Sequence, residues 1–429
     1  MNDTIFAVSS GAPPAAIAIL RLSGAGAFDA VRQLAGDIPK PRIAALRALH
    51  DPANGELLDR ALILIFPGPA SATGEDLAEL HLHGGRAVVR AVEASLAALP
   101  GLRAAEPGEF TRRALANGRI DLSEAEGLGD LLMAETEAQR RAAIRSAEGA
   151  VRREVEGWTA RALMLSAQVE ALLDHGDEDD VAAGADPLPA IRMDAAVLGE
   201  DIAAIASRPP IDRLRDGLRV VLAGPPNAGK STLLNALVGR DAAIVSAIAG
   251  TTRDRIEAPV VRDGIAYLLT DTAGLNAEPG DAIEEIGIAR ARDAFETSDI
   301  VLWLGDDLPP PHPATLWLHA RADEEGRVPN PAALAISAAT GSGIDTLWAC
   351  LATLSRELLP PPDLVALNTR QRDLSLSAAT SLAAVRPEQD LLLIAEHLRA
   401  ALRAFDAITG RAGIEAMLDA LFGCFCIGK

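Results

Sequence analysis

The 429-residue chain reads as a multidomain α/β protein, on three observations. Residues 218–359 alternate short apolar runs with helical stretches, the pattern of a doubly wound, mainly parallel sheet. Within them, Gly224-Pro225-Pro226-Asn227-Ala228-Gly229-Lys230-Ser231 lies between an apolar run and a helical one. Strand, glycine-rich turn, then helix is the context in which G-x-x-x-x-G-K-[ST] cradles phosphate. Residues 119–217 and 360–429 are helical in pattern, whereas 1–118 mixes strands and helices. The expected architecture is an α+β domain over 1–118 and a discontinuous helical domain built from 119–217 and 360–429. A Ras-like P-loop domain at 218–359 is inserted between the two helical parts.

Taken in order, Thr4–Val8 and Ala16–Leu22 are strands around a Gly11–Pro14 turn, and Ala61–Phe66 is a strand stopped by Pro67. Leu77–His83 alternates apolar and polar residues as a half-buried strand does. Arg86–Leu99 is an amphipathic helix ended by Pro100-Gly101. Long helices occupy Leu122–Leu173, up to the run Asp174-His175-Gly176-Asp177-Glu178-Asp179-Asp180. Such a carboxylate block is either a solvated loop or a metal site. Leu218–Ala223 leads into the phosphate loop, and Ala266–Thr270 is a strand running into Asp271. Ile283–Thr297 is a helix, followed by strands at Ile300–Leu304, Leu316–Leu318 and Ala335-Ile336, then a helix over Gly343–Leu359. Pro360-Pro361-Pro362 marks a boundary.

Hydrophobic residues make up 49% and aromatic ones only 3%, so the cores must be built from Ala, Leu, Ile and Val. No apolar run reaches the roughly 20 residues that span a bilayer, and the N-terminus has no signal-peptide pattern. Cys350, Cys424 and Cys426 are too few for a disulfide framework, which fits a cytoplasmic location. Net charge is −20 and no long segment is basic, so unaided binding to a polyanion is disfavoured. Of 40 basic residues only Lys40, Lys230 and Lys429 are lysine. That frugality marks Lys429, at the last position, as a functional candidate beside Lys230 of the phosphate loop.

The loop's neighbours narrow the chemistry. Lys230 supplies a point charge for the β/γ-phosphates and Ser231 a hydroxyl for Mg²⁺. Asp271-Thr272-Ala273-Gly274 has the D-x-x-G form of a GTPase second switch, and Thr252 in Gly250-Thr251-Thr252 fits the first-switch threonine. Leu275 stands where Ras-like enzymes carry a water-orienting Gln, so hydrolysis needs another group. Asn227 offers an oxygen to a monovalent cation, with carbonyls of Ser246–Thr251 to complete the shell.

Together these residues resemble the bacterial tRNA uridine-5-carboxymethylaminomethyl modification GTPases, the MnmE/TrmE family, over essentially the whole chain. The resemblance includes Ile19-Leu20-Arg21-Leu22-Ser23-Gly24, Thr73-Gly74-Glu75-Asp76 and His83-Gly84-Gly85. It continues through Pro107-Gly108-Glu109-Phe110-Thr111-Arg112-Arg113-Ala114, Asn117-Gly118-Arg119-Ile120-Asp121-Leu122 and the terminal Cys426-Ile427-Gly428-Lys429. It implies a folate-binding N-terminal domain that homodimerises, a helical domain and an inserted K⁺-dependent GTPase domain. It further implies work with an FAD-containing GidA/MnmG-type partner, which brings much of the tRNA contact, and no membrane. The reaction would place an aminomethyl or carboxymethylaminomethyl group on C5 of the wobble uridine of certain tRNAs. A tetrahydrofolate derivative, 5,10-methylene- or 5-formyl-, would supply the one-carbon unit.

By resemblance, GTP contacts fall on Asn227, Ala228, Gly229, Lys230, Ser231, Thr232, Ser246, Ala247, Ile248, Ala249, Gly250, Thr251, Thr252, Asp271, Thr272, Ala273, Gly274, Asp323, Ser337 and Ala338. K⁺ ligands would be Asn227, Ser246, Ile248 and Thr251, and Mg²⁺ ligands Ser231 and Thr252. Glu284 would orient the attacking water. Folate contacts would be Arg21, Glu79, Arg119 and Lys429. Cys426 has two readings, a thiol in the modification chemistry and a small buried apolar residue. Three departures stand out. The guanine-reading Asn-Lys-x-Asp is here Ala320-Arg321-Ala322-Asp323, and loss of the Asn contact costs about 1 kcal/mol or more. Ala12-Pro13-Pro14-Ala15-Ala16 replaces a glycine-rich loop at the folate rim, and Arg119 replaces a lysine. Two other functions compete with this one: a regulatory GTPase switch of the ribosome-assembly type, and a folate one-carbon carrier with impaired guanine specificity. A folate-type first domain argues against the former, and intact switch motifs against the latter.

Overall fold

A computed structural model describes residues 3–174, 186–239, 257–272, 292–328, 330–361 and 363–411, with Leu421 and Gly428. The chain forms two compact units, Met1–Gly129 with Thr409–Lys429, and Asp130–Ile408.

The first unit is built on a six-stranded sheet of order β3-β4-β5-β2-β1-β6. Its strands are β1 (Thr4–Val8), β2 (Ile17–Ser23), β3 (Ala45–His50), β4 (Leu57–Phe66), β5 (Leu77–His83) and β6 (Leu102–Ala104). All pairings are antiparallel except β1 with β6. The alternation of β5 places Ala78, Leu80 and Leu82 in the core and Glu79, His81 and His83 on the other face. Helices α1 (Ala27–Ala35) and α2 (Arg86–Ala97) bury Ala30, Val31, Leu34, Val89, Val92 and Leu96 in that same core. Helix α3 (Glu109–Ala116) follows Gly108, and α4 (Leu122–Met133) carries the chain into the second unit. The sequence reading omitted α1, α3, β3 and β6. The two strands are the sheet's outermost, short and only partly buried, so their hydrophobic pattern is weak.

Beneath Ser23 and Thr4 in that unit lies a buried ion network. Arg113, 1% exposed, donates to Asp3, Glu75 and Glu109 and to the Asp3 and Ser23 carbonyls. Arg103 holds Glu109 from the other side with a bidentate pair at 2.6 and 2.8 Å.

In the second unit, α5 (Glu137–Ala147), α6 (Ala150–Asp174) and α7 (Leu188–Ala206) precede the sheet, and α11 (Thr369–Ala384) and α12 (Leu391–Thr409) follow it. Both groups share one core, in which Val155, Trp158 and Leu165 meet Leu198, Leu382, Leu398 and Phe405. The Trp158 and Phe405 rings are 5.9 Å apart. The long helices expected over Leu122–Leu173 are three, with two breaks between them. Thr136 and Gln139 form a capping box that starts α5, a T-x-x-Q signal present in the sequence, and Glu148-Gly149 ends it. A second capping box, Asn368 with Gln371, opens α11.

The sheet of this unit has order β12-β11-β10-β7-β9-β8. It comprises β7 (Leu218–Ala223), β8 (Glu257–Arg262), β9 (Ile265–Asp271), β10 (Ile300–Trp303), β11 (Thr315–His319) and β12 (Leu334–Ala335), with α9 (Lys230–Gly239) and α10 (Ile344–Leu358) packed against it. Every pairing is parallel except β8 with β9. Strand β7 lies between two parallel neighbours, which is why, after the exposed Arg219, Val220–Ala223 is a continuous apolar run. The last strand pairs over Leu334–Ala335, one residue earlier than expected. Residues 292–296 are helical, and the rest of the helix expected from Ile283 lies outside the described residues, as does most of the acidic run at 174–180.

Short helix α8 (Asp212–Arg215) ties this sheet to the bundle. Gln139 donates to the Leu214 and Arg215 carbonyls, and Asp212 accepts from the Thr369 N–H and hydroxyl. Arg213 pairs with Asp299, just before β10, at 2.7 Å.

Candidate functional site: a phosphate loop and a second cavity

The phosphate loop leaves the carboxyl end of β7, where β10 lies on one side and β9 on the other, the point at which an open parallel sheet opens a crevice. Gly224 has φ +147° and Gly229 φ +95°, while Asn227 holds the left-handed region at φ +59°. Helix α9 begins at Lys230, so its first N–H groups face the loop. The Lys230 side chain is 6% exposed and its Nζ donates to the Gly224 and Pro225 carbonyls at 2.9 and 2.8 Å. Burial pushes its pKa below the ordinary lysine value, against the opposing pull of the Asp271 carboxylate.

Ser231 Oγ donates to Asp271 Oδ2, so the first serine of the helix and the last residue of β9 present oxygens together. That is a suitable donor set for the hard cation Mg²⁺. Thr272 Oγ1 and N–H both bond the Leu222 carbonyl and fasten the end of β9 to β7.

A cavity of about 490 Å³ joins the phosphate loop to the segment after β11. Asn227, Ala228, Gly229, Lys230, Ser231 and Thr232 line one part, and Ala320, Arg321, Asp323 and Ala338 another. Asp323 is held below the usual carboxylate range, chiefly by the Ser337 hydroxyl, so it is ionised and can accept hydrogen bonds from N–H groups. Ser337 is itself buried behind it. The Ala320 methyl, 4% exposed, stands where a hydrogen-bonding side chain was expected.

The first unit holds a second cavity, of about 420 Å³, lined by Arg21, Thr73, Phe110, Arg119 and Leu128 among others. Three separated strings build it. Asn117 Nδ2 donates to the Thr73 carbonyl at 2.7 Å, and Ser23 Oγ bonds Thr73 Oγ1 at 2.6 Å and Glu75 at 2.8 Å. Gly74, at φ +81°, lies so close to Asn117 that a Cβ would stand 2.8 Å from its side chain. Arg21 and Arg119 are thus brought to one wall, with the Arg21 guanidinium 5.9 Å from the Phe110 ring centre. Glu79 is placed differently. It receives Arg21 Nε and Nη2 at 3.1 and 2.8 Å and lies behind Arg21 rather than on the wall. Two cations beside an aromatic face, in a space of drug-like size, fit a planar heterocycle with an acidic tail.

Gly428 packs on the end of β1. Its carbonyl accepts from Ser9 Oγ at 2.6 Å, and a Cβ there would come within 2.1 Å of the Val8 carbonyl oxygen. Ser246, Ala247, Ile248, Ala249, Gly250, Thr251, Thr252, Ala273, Gly274, Glu284, Cys426 and Lys429 lie outside the described residues. Sequence reasoning named Arg321 in the base-reading motif but missed its bond to the Asn227 carbonyl at 2.9 Å, because the two are far apart in the chain.

A buried lysine at a helix N-terminus with a Ser–Asp oxygen pair beside it defines a P-loop nucleotide-binding protein. Comparison with known proteins narrows the class. The family model "GTP-binding protein TrmE N-terminus" matches residues 4–119, and "MnmE helical domain" matches 122–426. The tRNA modification GTPase MnmE of Erythrobacter litoralis is 56% identical over 430 residues, covering 100% of both chains. That of Rhizorhabdus wittichii is also 56% identical, over 100% of this chain and 97% of its own. That of Novosphingobium aromaticivorans is 54% identical and covers 100% of each. The chain belongs to the MnmE family of tRNA modification GTPases.

Proposed function

We propose that the chain is a K⁺-stimulated GTP hydrolase that acts with an FAD-containing partner on C5 of the wobble uridine of certain tRNAs. The observation that carries this reading is the coexistence of two sites in one chain of that family. One is built for a nucleoside triphosphate, and the other pairs Arg21 and Arg119 with Phe110. The second site favours modification over a pure regulatory switch, which has no use for it. A bound tetrahydrofolate would supply the one-carbon unit. Arg21, steadied by Glu79, and Arg119 would hold its acidic groups while Phe110 packs on its ring system. Lys429 and Cys426 are proposed members of that site.

At the nucleotide, Lys230 neutralises phosphate charge, and Ser231 with Thr252 ligates Mg²⁺. Asn227, Ser246, Ile248 and Thr251 hold K⁺, and Glu284 orients the water. The domain plan, 1–118, 119–217 with 360–429, and 218–359, and the homodimer belong to the same proposal.

Mass spectrometry of tRNA nucleosides from cells lacking the gene tests the whole reading: wobble-uridine modification should vanish, and an unchanged profile overturns it. For the cation, hydrolysis should be faster in K⁺ than in Na⁺, and Glu284→Ala should abolish turnover while GTP still binds. Equal rates in the two salts remove the assignment of Asn227.

A further inference from the structure

We propose that a third cavity, of about 600 Å³, is a binding site for an amphiphile with an unbranched aliphatic chain and an anionic head. It shares no residue with the nucleotide cavity or the Arg21–Arg119 cavity, so the inference rests on neither assignment. All of its walls belong to the second unit: α5 and the start of α6, α8, the turn between β8 and β9, and the chain leaving α10. The turn Asp263-Gly264 stands at the far end of β9 from Asp271, so this cavity and the phosphate loop lie at opposite ends of that strand.

Burial sorts the lining by chemistry. Val151 is 2% exposed, and Ile211 and Leu214 are each 9% exposed. Ala142, Leu359 and Val365 extend this apolar surface, and no aromatic ring lines it. A space of this size with purely aliphatic walls fits a methylene chain better than a planar ring, which gains most from stacking. Pro360 and Pro361 in the lining have no N–H, so they cannot zip this stretch to a neighbouring element and close the space. Leu364, in the same stretch, is left 45% exposed.

The charges decide the head group. Arg141, Arg145 and Arg356 line the cavity together with Glu137 and Asp263. Glu137 is taken by Arg140 and Arg141 at 2.7 Å each, and Asp263 lies 3.8 Å from Arg262. Arg145 meets only Asp363, a 97% exposed carboxylate 3.9 Å away, and such a contact contributes little. Arg356, itself exposed, makes no ion pair among the described residues. Two guanidiniums without a close carboxylate thus border an apolar cleft in a chain of net charge −20. A carboxylate or phosphate head matches their planar fork.

The test is calorimetric titration of the full-length, nucleotide-free protein with submicellar sodium dodecanoate. One molecule should bind per chain, saturably. Dodecyltrimethylammonium, with the same chain and the opposite charge, should bind at least about tenfold more weakly, and butanoate not at all. Arg145→Gln and Arg356→Gln should each weaken dodecanoate about three- to tenfold, and Ala142→Leu, which fills the apolar wall, at least about tenfold. Absence of saturable binding or equal affinity for the cationic amphiphile would overturn the proposal. So would an affinity unchanged in both arginine variants, or unchanged in Ala142→Leu. Should Ala142→Leu fail to fold, Leu364→Ser at its exposed position takes its place, and unaltered affinity there also refutes the site.

Discussion

Lys230→Met is expected to lower GTP hydrolysis at least about a hundredfold, the scale on which removing one preorganised charge from a reaction centre acts. Its stability effect should run in the opposite direction. Lys230 is 6% exposed, and its pKa is depressed by burial, so folding opposes the charged form. A lysine whose folded pKa lies below the unfolded one destabilises the protein at every pH below the folded value. That penalty fades as pH rises toward the unfolded value near 10.5. At neutral pH the nucleotide-free Lys230→Met protein should therefore melt at the same temperature as the parent or higher, while failing to retain GTP. A calorimetric scan with and without nucleotide reads both effects. A fall of several degrees without nucleotide would mean that the bonds to Gly224 and Pro225 are structural. The expected result, a variant at least as stable but inactive, is the ordinary exchange of stability for function.

Arg113→Ala carries the largest expected loss of stability, about 3–5 kcal/mol, because it takes a buried guanidinium from Glu75, Glu109 and Asp3, of which only Glu109 and Asp3 keep Arg103. Arg113 is 1% exposed, and Glu109 is 5% exposed. The Glu109 carboxyl is pushed up by burial, and pulled down further by Arg103, the Glu106 N–H and Arg113, so it ends below the ordinary value of 4.5. The sign follows directly. A depressed carboxyl contributes stability that is complete above about pH 4.5 and lost as pH falls through the folded value. Urea midpoints taken at pH 7 and pH 4 should differ for the parent and differ less for Glu109→Gln. A parallel pH dependence in that variant would place the acid sensitivity elsewhere.

What could be read from the chain, and what could not, follows from how far apart the interacting residues are. The phosphate loop was legible because eight adjacent residues carry its chemistry, and strand β7 before it is too apolar to mistake. Strand β8 was missed although its turn, Asp263-Gly264, is a strong hairpin signal, with both residues at positive φ. The interrupted alternation of Glu257–Arg262, with Pro259 inside it, obscured the strand; it pairs only at the sheet's edge, where proline is tolerated. Arg21 and Arg119 were named from resemblance, but their meeting on one wall depends on Thr73, Ser23 and Asn117, which nothing local connects. Glu79 looked like a direct contact because the sequence does not reveal that β2 and β5 place it opposite Arg21. Arg113 hid in a string that could be recognised without its physical purpose being evident.

Helix α8 has a consequence for the history of the chain. The strand that enters the nucleotide-binding sheet starts three residues after α8 ends, and the chain returning from the sheet bonds back to the same short helix. Arg213 donates to the Leu358 carbonyl at 3.4 Å, and the Ile211 N–H to the Leu367 carbonyl at 3.0 Å. Entry and exit are therefore neighbours. A segment whose two ends meet in this way can be gained, lost or exchanged in one recombination event, with the bundle around it closing over a linker of only a few residues.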